Sequence, residues 1–460
     1  MKKFISLSLV IAMLSSNFLF LPAHAEIKFK TRINKEKITD EQRYAYINME
    51  WWKEFNDENL NSYILKALEN NNDLKMAKFA TEEYYQSMKL QFSKELPQVS
   101  TGFAPVYGKL PENSITFNDF DWRFFFPVTV SYEADVFLKN HDKTKSAKKL
   151  YEMSLQDERT AYIAVASSVA VLYFNIVKLD DVIETQEKIV NNRKIIYERM
   201  QKRNHHGLTS EADTVAAEKA YIQANIELSD MEKSREKLLN QLAVVIGESP
   251  CNISEFNRTK LKDLQFAGTI PQEISTEVIM DRPDYKKAEL MVKKAGLDVK
   301  IAKKEFLPTF NIGGIALFNA GDIGSTFTTA SSLLAFGGGV FSPIFTGGAR
   351  IANLKLRKAS YERILENYKK TNLVAMQEIN DSLVTIKKDE DKFNKLIKQQ
   401  QLSKKEHNYN VKREAKGIIS NLDLVQSEEN VLTIEKIIAI QKAENYINYI
   451  GLYKACGGDL

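Results

Sequence analysis

The sequence predicts a mainly α-helical chain with a small β part, in which long coiled-coil-like helices form a wall and four strands contribute to a barrel shared between copies. Three observations carry that expectation. The order of elements recurs after about 210 residues. Two helical periodicities run without a proline through 140–205 and 347–416. Two segments alternate apolar and polar residues with the two-residue period of a strand.

The chain opens on Lys2 and Lys3, then a mainly apolar Phe4 to Leu21, then Ala23-His24-Ala25. That is the pattern of an export signal, and it predicts a mature chain starting at Glu26. No cysteine adjoins the cleavage site, so a lipid-free N-terminus is expected. The mature chain divides into an extended segment over 26–56, a first repeat over 57–250, a linker over 251–275 and a second repeat over 276–460. Gly207-Leu208-Thr209-Ser210-Glu211-Ala212-Asp213 lies on Gly417-Ile418-Ile419-Ser420-Asn421-Leu422-Asp423, and Asp73, Ala77, Leu96 and Pro97 lie on Asp284, Ala288, Leu307 and Pro308.

Each repeat reads as helix, two strands, very long helix, tight turn, helix. The helices are expected over 57–95, 140–205 and 210–247, and again over 276–306, 347–416 and 420–456. Tyr162, Val165, Val169, Leu172, Ile176, Leu179 and Ile183 alternate spacings of three and four, the signature of a narrow coiled-coil seam. Met376, Ile379, Leu383 and Ile386, resumed at Phe393 and Ile397, form its counterpart. Helices of that length reach about 100 Å and cannot fold inside a compact domain.

The strands are expected over 97–107, 122–133, 308–319 and 332–345. In the second, Trp122, Phe124, Phe126, Val128, Val130 and Tyr132 share one face, while Arg123, Thr129, Ser131 and Glu133 share the other. A wall between lipid and water has that character. Past residue 25 no run reaches the roughly 18 apolar residues of a spanning helix, so any membrane span is expected to be β. Four strands cannot close a barrel, and an open edge in lipid leaves backbone groups unpaired, so other copies must supply strands.

Charge narrows the function classes. The 64 Lys and Arg nearly cancel the 60 Asp and Glu, which gives no basic face for nucleic acid. No phosphate-binding glycine loop, Cys/His metal spacing or catalytic grouping is present in sequence, so neither an enzyme nor a bound cofactor is expected. Cys251 and Cys456 stand alone near helix ends, either paired or as two buried thiols.

Several passages, in order, resemble the TolC-like outer-membrane efflux channels, above all the branch serving resistance-nodulation-division pumps. They are Trp51-Trp52-Lys53-Glu54-Phe55-Asn56-Asp57, Ala67 to Leu74, Ser131-Tyr132-Glu133-Ala134-Asp135-Val136-Phe137, Asp281-Arg282-Pro283-Asp284 and Pro343-Ile344-Phe345-Thr346-Gly347-Gly348. The likeness spans nearly the whole mature chain. Two departures stand out: the lipidated cysteine of many members is absent, and Leu138 occupies the place of a common glycine before Lys139. The resemblance implies a homotrimer, a twelve-stranded barrel in the outer membrane of a Gram-negative cell, and a helical tunnel across the periplasm. It also implies docking to a periplasmic adaptor and, through it, an inner-membrane transporter. The expected function is a passive gated exit duct for drugs or other small toxic compounds. Exit channels of type I protein secretion or metal efflux share this architecture, and a periplasmic adaptor or scaffold without a pore is the alternative of another class.

The candidate site residues lie at the repeated turns. Gly207 and Gly417 can take positive φ to end one helix, and Ser210 and Ser420 can cap the next. With Leu208 and Ile418 they are the tips that the resemblance assigns to adaptor contact. Asp213 and Asp423 sit three residues past the caps, where an acid suits a helix N-terminus. The resemblance further places Asp423 at a closed periplasmic mouth, with Gln426 one turn on where some relatives carry a second acid. His205 and His206 flank the first turn without carboxylate or Cys companions and are read as solvated residues rather than metal ligands.

Overall fold

The computed structural model describes residues 50–108, 120–250, 256–271, 274–322, 324, 327–329 and 332–458. The cleavage site before Glu26, most of the 108–121 loop and Cys251 lie outside them. The helices are α1 Glu58–Asn70, α2 Asn72–Ser93, α3 Lys139–His205, α4 Glu211–Val245, α5 Thr276–Asp281, α6 Pro283–Lys304, α7 Ala349–Glu414 and α8 Asn421–Ala455. The strands are β1 Gln98–Thr101, β2 Ala104–Gly108, β3 Asp121–Ala134, β4 Thr309–Ala320 and β5 Ser332–Phe341.

Two expected helices are each broken once. The first, over 57–95, parts at Asn71, whose backbone is extended and whose Oδ1 accepts the Leu74 N–H while its Nδ2 donates to the Val245 carbonyl at 2.8 Å. The other, over 276–306, parts at Arg282, because Pro283 disfavours helical φ/ψ at the residue before it. The two breaks perform one task. Arg282 donates to the Ala455 carbonyl, the repeat counterpart of Val245, and also grips Asp284 and Glu378. Beside each break sits the glycine ending the repeat's last helix, Gly247 at φ +79° and Gly457 at φ +78°. A Cβ on Gly247 would stand 2.8 Å from the Asn70 carbonyl oxygen, so only glycine fits the unstrained joint.

The core gathers around these joints. Trp52, Phe55, Leu60, Ile64, Tyr173, Phe174, Leu242 and Ile450 are fully buried together, and Phe55 lies 4.9 Å from Phe174 between ring centres. The expected extended segment therefore ends in a 3-10 turn, Trp51–Phe55, that is part of the core. Asp57 is buried there as the N-cap of α1, accepting from Tyr173 Oη at 2.5 Å and Thr259 Oγ1 at 3.0 Å. Thr259 belongs to the linker, which is strapped to α3 through Arg258 and Asp180 as well.

From this belt the helices run as a one-layer wall. On the strand side α2, α3, α6 and α7 lie in that order, and toward the turns the order is α4, α3, α8, α7. The 67 residues of α3 span about 100 Å at 1.5 Å per residue. In α7 the narrow seam holds in part: Ile379 and Ile386 are buried and Leu383, Phe393 and Ile397 half-buried, but Met376 is exposed and Ala375 is buried in its place. It does not hold for α3: Ile163, Ala166, Ala170, Tyr173, Phe174 and Val177 are buried along with the expected Val165, Val169 and Ile176, because α3 has neighbours on both sides. The same stretch corrects the expectation of no apolar run, since by length and composition α3 could cross a membrane. More than half of that window is buried within the chain, against Trp51, Trp52 and Phe55.

The sheet is antiparallel, with β3 between β1/β2 and β4, and β5 beyond β4. β1 and β2 are one line in one register, since Thr101 pairs with Val128 and Ala104 with Phe125. The gap falls where Gly102 N–H donates to the Pro127 carbonyl at 3.0 Å and Pro127 has no N–H to return. Four strand lines therefore stand as expected, with the last ending at Phe341 rather than 345. The register puts Val99, Phe103, Pro105, Tyr107, Trp122, Phe124, Phe126, Val128, Val130 and Tyr132 on one face with Phe310, Ile312, Ala316, Phe318, Leu334, Phe336 and Val340. Among the described residues no charged or amide side chain interrupts that face. The other carries Ser100, Arg123, Thr129, Ser131, Glu133, Asn311, Asn319 and several glycines, with Ser100 and Thr129 hydroxyls 2.6 Å apart.

Candidate functional site at the helix turns

The two turns joining α3 to α4 and α7 to α8 are built alike. Gly207 and Gly417 take φ of +70° and +67°, the left-handed conformation that lets a chain leave a helix. The following N–H groups then reach back, Leu208 to the Arg203 carbonyl at 2.8 Å and Ile418 to the Arg413 carbonyl at 2.9 Å. That leaves the Leu208 and Ile418 side chains 66% and 61% exposed at the extremity. An aliphatic side chain is thus exposed at the extremity of both turns.

The next helices start with reciprocal caps. Ser210 Oγ accepts the Asp213 N–H at 3.1 Å, and the Asp213 carboxylate accepts from Ser210 Oγ at 2.6 Å and Thr209 Oγ1 at 3.1 Å. Ser420 and Asp423 repeat this, with Asp423 Oδ2 accepting from Ser420 Oγ at 2.7 Å and Ser420 N–H at 3.0 Å. These bonds, first those from the serine hydroxyls, hold both carboxyls below the ordinary aspartate range. Asp423 and Gln426 are exposed one turn apart on α8, while Asp213 is exposed on α4. The His205 and His206 rings lie 5.5 Å apart at the first turn. Among the described residues no group of three or more His, Cys, Asp and Glu is placed to hold a metal.

Behind the turns lies a polar layer that sequence reasoning missed. Arg193 on α3 pairs with Glu429 on α8, a carboxylate only 6% exposed. Lys436 Nζ donates to Gln186 Oε1 at 3.0 Å, and Gln186 Nε2 donates to the Ala224 carbonyl at 3.1 Å. His407 Nδ1 and Ser427 Oγ, 2.8 Å apart, link α7 to α8. The available signal was Glu429 occupying a place in the apolar spacing Val425, Glu429, Leu432, where a charge demands a partner. Arg193 with Glu429 and Gln186 with Lys436 tie the two hairpins together between the belt and the turns, while His407 with Ser427 joins the two helices of the second hairpin.

Comparison with known proteins places this geometry. The outer membrane efflux protein family matches residues 63–248 and 275–458. The antibiotic efflux pump outer membrane protein ArpC of Pseudomonas putida is 24% identical over 412 residues, covering 89% of this chain and 84% of ArpC. The cation efflux system protein CusC of Escherichia coli is 24% identical over 421 residues, covering 90% and 89%. The crystal structure of the Campylobacter jejuni CmeC outer membrane channel superimposes with a TM-score of 0.80 at 24% identity, covering 89% of this chain and 88% of CmeC.

Proposed function

The chain belongs to the outer membrane efflux protein family, and on that premise we propose that three copies form the exit duct of a tripartite efflux pump. The apolar face of the sheet then meets outer-membrane lipid, twelve strands close the barrel, and the helical wall crosses the periplasm. The observation that carries this reading is a sheet with one apolar face and, among the described residues, an unpaired edge on each side, mounted on helices too long for a compact domain. A periplasmic scaffold has no use for such a sheet. Export is assigned to residues 1–25 with cleavage before Glu26, and anchoring to the barrel rather than to a lipid, no cysteine adjoining Ala25.

The tips Gly207, Leu208, Ser210, Gly417, Ile418 and Ser420 are assigned to docking on a periplasmic adaptor that holds an inner-membrane transporter. Asp423 is assigned to the closed mouth, with Gln426 above it and Asp213 on the outer hairpin. Three carboxylates around an axis would hold cations and repel each other. Equal likeness to channels of antibiotic and cation efflux fits a duct that carries drugs or other small toxic compounds without recognising them, selection resting with the transporter. The test is single-channel conductance of the mature protein in planar bilayers. Asp423→Ala is expected to relieve block by multivalent cations; unaltered block removes Asp423 from the gate, and no conductance at all removes the duct.

A further inference from the structure

The near-neutral total charge of the chain hides a segregation along its length. The three helix ends that border the sheet, over 139–150, 293–304 and 349–358, carry fourteen Lys and Arg against two Asp, whereas the whole chain has 64 against 60 Asp and Glu. Both aspartates are engaged within the chain, Asp142 by Lys304 at 2.6 Å and Asp298 by Lys294 at 2.8 Å. The acids beside them are engaged too, Glu133 by Lys139 at 2.8 Å and Glu152 by Lys149 at 2.5 Å. Lys145, Lys300, Lys355 and Lys358 are exposed and, among the described residues, have no ion-pair partner.

Helix geometry sorts these side chains between the two faces of the wall. Lys139 reaches Glu133 on the polar side of β3, and Lys143 follows one turn on. Two residues further, at about 100° per residue, Lys145 points the opposite way, to the side continuous with the apolar face of the sheet. Lys304 shares that side, because its partner Asp142 lies within about 60° of Lys145 around α3, and Lys300 precedes Lys304 by one turn. The internal repeat keeps this set. The offset of 210 that carries the start of α3 at Lys139 onto that of α7 at Ala349 also carries Lys145 onto Lys355 and Lys148 onto Lys358. An offset of 211, which aligns the leading strands, carries Lys89 onto Lys300. The lysines of the polar side are not repeated, since Lys139 and Lys143 fall on Ala349 and Asn353.

Apolar groups mark the same side nearer the sheet. Leu138, 53% exposed, precedes Lys145 by seven residues, and Ile351, 55% exposed, precedes Lys358 by seven, so each stands two turns closer to the sheet on nearly the same line. Lys145 and Lys355 lie six residues into their helices and Lys300 four residues before the end of α6, which puts them about 6–9 Å from the helix ends. The headgroup zone of a bilayer extends roughly 5–8 Å beyond its hydrocarbon. A lysine stem lies along apolar surface while its ammonium reaches the polar layer. We propose that the outward lysines form a collar for anionic phospholipid headgroups of the leaflet facing the periplasm, seated where the apolar sheet face gives way to the helical wall. This rests on the outer-membrane barrel proposed above and adds the class of lipid that borders it. The sheet fixes the depth, and the collar lies within about one Debye length, 8 Å, of the headgroup charge.

The test uses the protein purified in detergent from membranes, incubated with equal amounts of phosphatidylglycerol and phosphatidylcholine and freed of unbound lipid by gel filtration. Mass spectrometry then counts the lipids retained. The parent is expected to hold phosphatidylglycerol over phosphatidylcholine about fivefold, the advantage that one lysine near the surface gives an anionic headgroup. Lys145→Gln, Lys300→Gln, Lys355→Gln and Lys358→Gln together are expected to bring the ratio near one. Lys237→Gln, Lys392→Gln, Lys398→Gln and Lys412→Gln, four exposed lysines toward the turns, remove the same charge and are expected to leave the parent ratio. A parent ratio near one, or an equal fall in both sets, overturns the collar. Where the first set lacks the parent particle mass in light scattering, Lys145→Gln with Lys355→Gln replaces it; a lowered ratio supports the collar and an unchanged one overturns it. Binding of the parent to purified cell-wall sacculi, lost in the first set while the lipid ratio stays near one, gives the lysines to the cell wall instead. Conductance in phosphatidylcholine bilayers reads the duct by itself, so a parent that conducts without a lipid preference refutes the collar alone.

Discussion

Gly247→Ala isolates what the glycine joint in the belt contributes. At φ +79° any L-residue meets a penalty of about 1–2 kcal/mol. Gly207→Ala, at φ +70°, meets the same penalty, but its Cβ would find nothing within 4 Å. The Cβ on Gly247 would lie 2.8 Å from the Asn70 carbonyl oxygen and 2.9 Å from Asn70 Cβ, so α1 must move away from α4. Overpacking of that kind costs about 1–3 kcal/mol, and displacing Asn71 from the Val245 carbonyl costs about 1 kcal/mol more. The difference between the two variants is therefore about 2–4 kcal/mol. With the joint already parted in the transition state for unfolding, the lower figure alone makes Gly247→Ala unfold about thirtyfold faster than Gly207→Ala. Guanidinium-induced unfolding in detergent measures this through Trp51 and Trp52, in a Trp122→Phe background that silences the sheet. Gly457→Ala, whose Cβ would meet Arg282 Cα at 3.1 Å, is expected between the two. Equal unfolding rates for Gly247→Ala and Gly207→Ala would refute the reasoning, since only the close approach distinguishes them.

Two further outcomes are expected at the turns. Leu208→Asp with Ile418→Asp places charge on both exposed aliphatic tips; export-dependent resistance in cells is expected to fall severalfold while conductance in bilayers stays at the parent value, and unchanged resistance would remove the tips from docking. The caps give a pH dependence. Asp213 and Asp423 have folded pKa values below their unfolded value, so their contribution is present above about pH 4 and is lost as pH falls through the folded pKa. Amide exchange protection at 210–214 and 420–424, corrected for intrinsic rates, is expected to drop in acid before protection in the belt around Tyr173 does. Loss of both together would show that the caps do not limit the turns.

Much of this architecture is legible in the sequence because its elements are long and repeated. The ends of α3, α4, α7 and α8 fall within two residues of their expected positions, since Gly207, Gly417, Ser210 and Ser420 mark them by chemistry that acts locally. The strand pairs are legible for a similar reason: one side of β3 is apolar at every second residue. What escaped depends on distant partners. Asn71 breaks a helix because its side chain finds the Val245 carbonyl, 174 residues away. Arg193 finds Glu429 across 236 residues, a pairing no local period encodes. The wide burial of α3 arises from having helices on both sides, so its true stripe is broader than the seam that its strongest residues trace. The segment after Phe341 alternates like a strand but has no partner strand within the described chain, and alternation without a ladder is not a strand.

The distribution of buried side chains bears on how such a duct could open. The largest fully buried residues lie in 52–64, 88, 173–176, 242–261 and 450, at or above the belt. Toward the turns burial thins: in α4 only Ala224 is buried before Leu239, and in α7 nothing is buried beyond Ile386. In α8 the first buried residues, Val425, Ser427 and Glu429, include a hydroxyl and a carboxylate. Arg193 with Glu429 and Gln186 with Lys436 link the lower halves of the two hairpins, alongside a thinner set of buried apolar side chains that includes Ile183, Ile189, Val431 and Leu432. Parting an apolar core exposes surface at about 25 cal/mol per Å², whereas polar partners that separate into water regain hydrogen bonds there. The belt is thus the rigid end and the turns the yielding end of one continuous wall. A force applied at the exposed Leu208 and Ile418 would therefore meet least resistance from packing at the turns and most at the belt.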